Sequence, residues 1–541
     1  MNKMLKIKKL RRISVALIIL SSLLPYSVTA GNSKRNSSID VVGYTFRLTL
    51  SDDSDRITGE TTIVLTIVSE VDSLRFDLVN RDPEGKGMRV DSVKVNTAKT
   101  TWIHTNNRLL VKAPAGSNVG DTIKLTVWYK GIPADGLIIS ETKFGKRSFF
   151  ADHWPDRASN YIPCVDHVSD KAAVDFIITA PDHYTVVSNG LLISEEAMPG
   201  GYKKSHWSEK TPLPVKVMTF GAAYLDKQLA GSVNGTEVWS YVYPENSEEG
   251  FYDYAMALIP LNFYTSLIGQ YPFPKLANVQ SRTIYGGLEN AGCIFYSENS
   301  VTGTGRSEGL IAHEIAHQWF GNSVTEADWH HIWLSEGFAT YLTSMYWEMR
   351  LGEERLQADM VNARNRVLRS ARNNPSPVID TTITNLMHLL SANSYQKGAW
   401  VLHMLRNKIG DRAFKEGLRL YYNTFRDSSA LTSDFAKVME EVSGRDLQQF
   451  FYQWLMIPQN PELKVTWNYD RRSRKTVITV AQMQEHLFTF PLEINLVAEG
   501  KIYPVKTEIS QRETQISVDS PYPPDQVVTD PNINLLFQQV E

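Results

Sequence analysis

Residues 313 to 322 read HEIAHQWFGN, with two histidines four apart and a glutamate directly after the first. On a helix, positions i and i+4 lie on one face one turn apart, so His313 and His317 present their imidazoles to a common point. Imidazoles that converge in this way are metal ligands, and zinc is the ion this spacing suits. Glu314, next to the first histidine, is placed to take a proton from water beside the metal. The same spacing also occurs on solvated helix faces that bind nothing, so its setting decides. Here Leu310, Ile311, Ile315, Trp319 and Phe320 surround the polar trio, which places it in an apolar cleft.

A zinc ion that does chemistry takes three protein ligands and keeps a fourth position open. In one arrangement a glycine and a histidine follow the second ligand by three and six residues, but this chain has Phe320 and Ser323 there, which excludes it. Downstream, WLSEGFATY covers 333 to 341. Ser335 is a good N-cap, Glu336 follows it, and Phe338, Leu342 and Met345 carry the apolar spacing of a second helix. Eighteen residues separate His317 from Glu336, enough for a turn of helix, a connection and a return beside the first helix. Glu336 is therefore read as the third ligand.

This ligand pattern resembles that of the aminopeptidase N and leukotriene hydrolase family of gluzincins. Three further stretches carry the resemblance: GGLEN at 286–290, SYQKGAWVLHML at 394–405, and FFADHWPDRASNYIPCVDH at 149–167. It extends over most of residues 40 to 455. It implies one Zn2+ per chain on His313, His317 and Glu336, with Glu314 as the base that activates water and Tyr395 as the hydrogen-bond donor to the tetrahedral oxyanion. It also implies that Glu289, with Gly286, Gly287 and Asn290, receives the free amino terminus of a peptide. The implied activity is a zinc aminopeptidase acting on peptides. By pattern alone Tyr395 is an ordinary buried helix tyrosine, and Glu289 with Asn290 is a polar turn. Only the resemblance gives them roles.

Several positions depart from the family pattern. Gly287 and Leu288 stand where alanine and methionine are more usual, and Ser335 replaces an asparagine. Asp152, His153 and Trp154 occupy the region where several members carry a glutamine that lines the first substrate pocket, so side-chain preference does not transfer. Other activities on such a scaffold are an inactive binding module, an endopeptidase and a lipid epoxide hydrolase. Retention of all three ligands and of Glu314 argues against the first.

The elements that must position these groups form three blocks. Residues 40–225 alternate, as in Tyr44, Phe46, Leu48, Leu50 and Ile123, Leu125, Val127, Tyr129, and predict an amino-terminal β domain. Residues 226–455 take helical spacing, as in TSDFAKVMEEVSG, where Ser433 is the expected cap and Phe435, Val438, Met439 and Val442 form a stripe. This is the expected catalytic domain, mainly helical and thermolysin-like. Alternation returns in LKVTWNY and TVITVAQ, predicting a small β-sandwich over 456–541. The expected class is thus α+β and multidomain. Because 456–541 alternates, the large carboxy-terminal helical domain of many family members is not expected there, and the cleft should be open on one side. GTGRSEG, 303–309, lacks the lysine and serine of a phosphate loop and reads as the entry to the zinc helix. RRSRK, 471–475, reads as a hairpin turn.

The 541 residues carry a formal charge of −3, a balance that offers no electrostatic footprint for nucleic acid. Lys3, Lys6, Lys8, Lys9, Arg11 and Arg12 precede an apolar run from Ile13 to Leu24, and Val28, Thr29 and Ala30 follow. That is the pattern of a secretory signal peptide over 1–30, the run being shorter than the ~20 residues a membrane span requires. A periplasmic or secreted protein, without stable membrane insertion, is expected. The only cysteines, Cys164 and Cys293, leave room for a single bridge and look unreactive.

Overall fold

The computed structural model describes residues 36–541; the basic start and apolar run of the expected signal peptide lie outside the described residues. The alternating segments form an eight-stranded sheet. Its central strand Ile39–Thr49 pairs antiparallel with Ile57–Ile67 and parallel with Lys171–Pro181. Tyr44, Phe46, Leu48 and Leu50 are buried, as are Ile123, Leu125, Val127 and Tyr129 on strand Thr122–Ile132, while Arg47 and Thr49 face water. A four-stranded sheet ordered Thr185–Ser188, Phe220–Ala223, Arg147–Ala151, Leu137–Glu141 completes much of this block.

The next block does not open with helices. Strands Asp226–Val233, Thr236–Val242, Lys275–Ser281, Cys293–Ser297 and Gly287–Leu288 form, in that order, a mixed five-stranded sheet. Every residue of Lys275–Ser281 is buried, as expected for an inner strand paired in parallel on both sides, and such a strand carries no alternation to read. The helices are α1 (Ser247–Ala255), α2 (Leu258–Leu267), α3 (Glu308–Ala316), α4 (Trp333–Leu351), α5 (Glu353–Asn373), α6 (Gly398–Ile409), α7 (Asp411–Phe425), α8 (Thr432–Ser443) and α9 (Gln448–Leu455). In α8 Phe435, Val438 and Met439 of the expected stripe are buried, and Val442 is half-buried. Ser433 lies inside that helix rather than at its cap; the Asp434 carboxylate instead accepts the Leu431 N–H at 2.9 Å.

A four-stranded and a three-stranded sheet follow from Glu462, with Leu463, Ile478, Val480, Leu492, Ile494 and Leu496 buried among them. Residues 471–474 form the turn of the hairpin Glu462–Asp470/Lys475–Gln482. Among the described residues no helix is long and apolar enough to cross a membrane. The two cysteines are buried and unbonded, and burial pushes both thiols up, Cys293 to about 11, so neither is a nucleophile.

Candidate active site

The zinc motif folds as the sequence predicts. Helix α3 carries His313 and Glu314 in its last turns and ends at His317, with Ile311, Ile315, Trp319 and Phe320 fully buried around them. Helix α4 packs beside it and presents Glu336 from its first turn, with Phe338, Leu342 and Met345 on its buried side. His313 Nε2 and His317 Nε2 are 3.2 Å apart, and Glu336 Oε2 lies 3.5 Å from the first and 3.3 Å from the second. A tetrahedral ion with ligands at ~2.0–2.1 Å sets its donor atoms about 3.3 Å apart. The three atoms therefore form one face of a zinc-sized tetrahedron. Glu336 Oε2 is buried and makes no well-formed hydrogen bond, its imidazole neighbours standing 3.5 and 3.3 Å away, so a cation at the centre of the three donors would satisfy it more fully. The residues present fit zinc.

Charge at the cluster points the same way. Burial alone would raise the Glu336 pKa, yet His317 and His313 hold its carboxyl well below the usual range. Burial lowers His317, but Glu336, with Glu289 and Glu314, outweighs it and pushes that imidazole up to about 9. Glu314 is raised well above the ordinary value, first by burial and then by the neighbouring carboxylates. Three carboxylates around two imidazoles make a site that calls for positive charge.

Ser335 takes a different place from the one read in the sequence. Helix α4 already starts at Trp333, so Ser335 is not its N-cap. It is fully buried, and its Oγ lies 3.0 Å from His317 Nδ1. With Nδ1 engaged there, Nε2 is turned toward Glu336 and His313. Gly321 makes this contact possible: its φ is +124°, and a Cβ there would overlap Ser335 Oγ. Gln318 and Asn322, within the same motif, donate their side-chain amides to the Glu289 carbonyl at 2.9 and 2.6 Å. The HEIAHQWFGN segment and the GGLEN segment are thus locked to each other.

Strand Gly287–Leu288 is the edge of the five-stranded sheet and packs on α3. A Cβ on Gly287 would run into the Glu314 carboxylate, so the bare backbone leaves room for that side chain. Glu289 is buried, and its Oε1 has no hydrogen-bond partner in the protein. Its charge reaches His313, Glu314, His317 and Tyr395. Tyr395 sits in a single π turn, Asn393–Lys397, that leads into α6; its ring stacks on His313 with centroids 6.1 Å apart. Burial, then Glu336 and Glu289, push its hydroxyl well above the ordinary value, so it stays protonated. The close crossing of Gly337 and Gly398, where a Cβ on the former would lie 2.9 Å from the latter's Cα, brings this turn onto α4.

One pocket is lined by Trp154, Tyr285, Gly287, Leu288, Glu289, His313, Glu314, His317, Glu336, Leu390 and Tyr395. It unites His313, Glu314, His317, Glu336, Tyr395, Glu289 and Gly287. Gly286 and Asn290 stand outside its lining: Gly286 accepts the Ser297 N–H at 3.0 Å through its carbonyl, and Asn290 is buried behind the wall. Sequence reasoning missed Tyr285 and Leu390, which supply apolar wall. Of Asp152, His153 and Trp154, only the tryptophan faces the pocket. Asp152 pairs with Arg157 and accepts from Thr283 Oγ1 at 2.9 Å and Ile284 N–H at 3.2 Å, fixing the loop that presents Tyr285. His153 is held by Val215 O and Tyr161 Oη.

The Peptidase M1 N-terminal domain matches residues 42–215 and the Peptidase family M1 domain matches residues 253–454, the latter containing every residue named in the cluster. The chain belongs to the M1 peptidase family. It is 26% identical over 466 residues to the puromycin-sensitive aminopeptidase of Caenorhabditis elegans, covering 78% of this chain and 47% of that protein. It is 24% identical to the glutamyl aminopeptidase of Rattus norvegicus, covering 77% and 47%. This M1 chain thus spans about half the length of those curated relatives. Its fold matches the crystal structure of Legionella pneumophila aminopeptidase A in complex with aspartic acid, with TM-score 0.80 at 17% identity over 94% of this chain and 60% of that one. The amino-terminal β domain, helical catalytic block and carboxy-terminal strands of the M1 chain follow that architecture.

Proposed function

We propose that the protein is a zinc-dependent aminopeptidase that removes the first residue of peptides. The observation that carries this reading is Glu289. Its carboxylate is buried without a hydrogen-bond partner in the same pocket as the three ligand atoms, where a free α-ammonium supplies the missing charge and donors. An internal peptide bond offers no such group, so the pocket favours cleavage at the amino terminus.

His313, His317 and Glu336 would hold the zinc, which when bound supplies a Lewis acid that polarises the scissile carbonyl and makes water more acidic. Glu289 fixes the substrate's amino end, so the first peptide bond comes to rest at the ligand cluster. Glu314 takes a proton from the attacking water onto its carboxylate and delivers it to the leaving amine. The Tyr395 hydroxyl, kept neutral, donates a hydrogen bond to the carbonyl oxygen as it gains charge. Trp154, Tyr285 and Leu390 shield these transfers from bulk water. The sequence pattern of residues 1–30 supports export, with cleavage near Ala30 and a periplasmic or secreted mature protein; mass determination of the mature amino terminus tests that.

The test of function compares free and N-acetylated forms of one peptide. The parent should cleave the acetylated form at least ~100-fold more slowly, and Glu289→Ala should lose a charge-assisted contact of ~1.5–3 kcal/mol for the free form only. Equal cleavage of both forms by the parent would turn the reading to an endopeptidase.

A further inference from the structure

Beyond His313 the site opens into a second, larger space. Beside the three ligand atoms there is about 40 Å³ of free volume, whereas the adjoining cavity offers about 900 Å³. His313 belongs to both walls. No residue of the 285–289 segment lines the larger cavity, so it adjoins the ligand cluster at His313 and not at Glu289. Its walls come from α3, α4 and α5, together with Gln396 of the π turn and Ala399 at the start of α6.

Topology brings α5 to this position. Helix α4 runs from Glu336, in its first turn, past Thr340 and Trp347 on the cavity wall. After Gly352, with φ +92°, α5 turns back along it, beginning with the Arg355 guanidinium 5.0 Å over the Trp347 ring. Helix α5 packs against the turn that carries Tyr395. Its later half presents Arg366, Arg369 and Arg372 to the cavity. All three are exposed, and among the described residues none of them forms an ion pair. The one acidic residue on the wall, Asp359, is taken by Arg355 at 2.9 Å. The cavity therefore carries three uncompensated positive charges, while the pocket at the ligand cluster carries Glu289 and Glu314.

We propose that this cavity receives the leaving, carboxy-side part of the substrate and selects peptides with carboxylates there. The proposal rests on the aminopeptidase reading: with the amino end at Glu289 and the first bond at the ligand cluster, the remaining chain must point away from Glu289. From Arg366 to Arg372 the helix rises about 9 Å, at 1.5 Å per residue. An extended peptide advances ~3.3 Å per residue, so the arginines face about three successive positions of the leaving chain. Guanidinium groups in a walled cavity pair with carboxylates and concentrate anionic ligands. The two ends of the site thus have opposite polarity, matching a peptide with a cationic start and an anionic remainder. The carboxylate recognised is that of an acidic side chain or of the peptide's own terminus.

The experiment measures kcat/KM for pentapeptides Ala-Gly-Gly-Glu-Glu and Ala-Gly-Gly-Lys-Lys, each as free acid and as carboxy-terminal amide, with the zinc-loaded full chain. The acidic free acid should be favoured at least tenfold over the amidated lysine peptide at low salt, and the preference should shrink several-fold in 0.5 M NaCl. Loss of most of the advantage on amidating the glutamate peptide assigns the terminal carboxylate; its retention assigns the side chains. In the triple variant R366Q/R369Q/R372Q the ratio should fall to within about threefold, with a melting curve like the parent's, whereas Arg412→Gln on the remote, exposed face of α7 should keep it. A parent ratio below twofold, or a parental ratio in the triple variant, overturns the proposal. Alanyl amides with no leaving peptide separate the two readings: if they are cleaved and no charge preference exists, only this inference falls; if neither they nor the peptides are cleaved, both fall.

Discussion

Ser335→Ala isolates the support of the proposed zinc ligand His317 from the ligand itself. In the parent, His317 Nδ1 has Ser335 Oγ at 3.0 Å and, at the edge of hydrogen-bond range, the Phe320 carbonyl at 3.4 Å. Ser335 is fully buried, so removing its hydroxyl leaves the imidazole with only the longer contact and little access to water. The change deletes no helix cap, because Ser335 lies inside α4, and the cost to folding should be about 1 kcal/mol. Loss of a hydrogen-bond partner behind a ligating histidine typically weakens metal affinity 10- to 100-fold, or ~1.4–2.7 kcal/mol. The assay is competition for zinc against a chromogenic chelator at fixed pH, with thermal unfolding followed in excess zinc. Thr343→Ala, which loses a hydroxyl bonded to the Ala339 carbonyl of its own helix, serves as control and should bind zinc as the parent does. A zinc dissociation constant for Ser335→Ala within twofold of the parent would refute the reasoning.

Further substitutions test the other roles. Glu314→Gln should lower turnover ~10²- to 10⁴-fold and Tyr395→Phe ~10²- to 10³-fold, both with full zinc content by metal analysis; loss of zinc from either would mean the ligands are misassigned. Gly337→Ala puts a Cβ 2.9 Å from Gly398 Cα, so α4 and the π turn must separate; unfolding should show a loss of ~1–3 kcal/mol and turnover should fall more than in Tyr395→Phe at matched folding, the opposite order counting against that crossing as a positioning device. His403 is buried, bonded to Ile533 O and Tyr341 Oη, and burial lowers its pKa to about 4. Its unfolded form takes up a proton below ~6.5 while the folded form does not, so its contribution to stability is present above pH 6.5 and is lost as pH falls toward 4. It should cost about 2 kcal/mol between pH 7 and pH 5, and His403→Gln should show a correspondingly shallower fall in urea midpoint; an unchanged slope would contradict the assignment.

The legibility of the site in the sequence follows from where its determinants lie. His313, Glu314 and His317 are fixed by helical spacing within one turn, and Glu336 by the return of the next helix, so local periodicity was enough. Strand alternation in Tyr44 to Leu50 likewise reports a sheet with distinct inner and outer faces. The five-stranded sheet leaves no alternation in the sequence, because Lys275–Ser281 is buried on both sides and has no period. Ser335 suits a helix cap by residue type, but its hydrogen bond to His317 depends on how α4 meets α3, which no local pattern encodes. The same holds for Trp154 and Tyr285, brought to the pocket by the β domain and a loop, and for the arginines of α5, which in sequence look like a solvated helix face. Gly286 and Asn290 belong to the GGLEN motif yet support it from outside the pocket.

The central claim is that the zinc cluster and Glu289 together make an enzyme that works from the amino terminus. Its most direct test is the product series from one unlabelled decapeptide, followed over time by mass spectrometry with zinc-loaded and zinc-stripped protein. The account predicts successive losses of single residues from the amino terminus with zinc, none after stripping, and recovery when zinc is returned. Internal fragments as first products, or an unchanged series from protein verified to be metal-free, would contradict it.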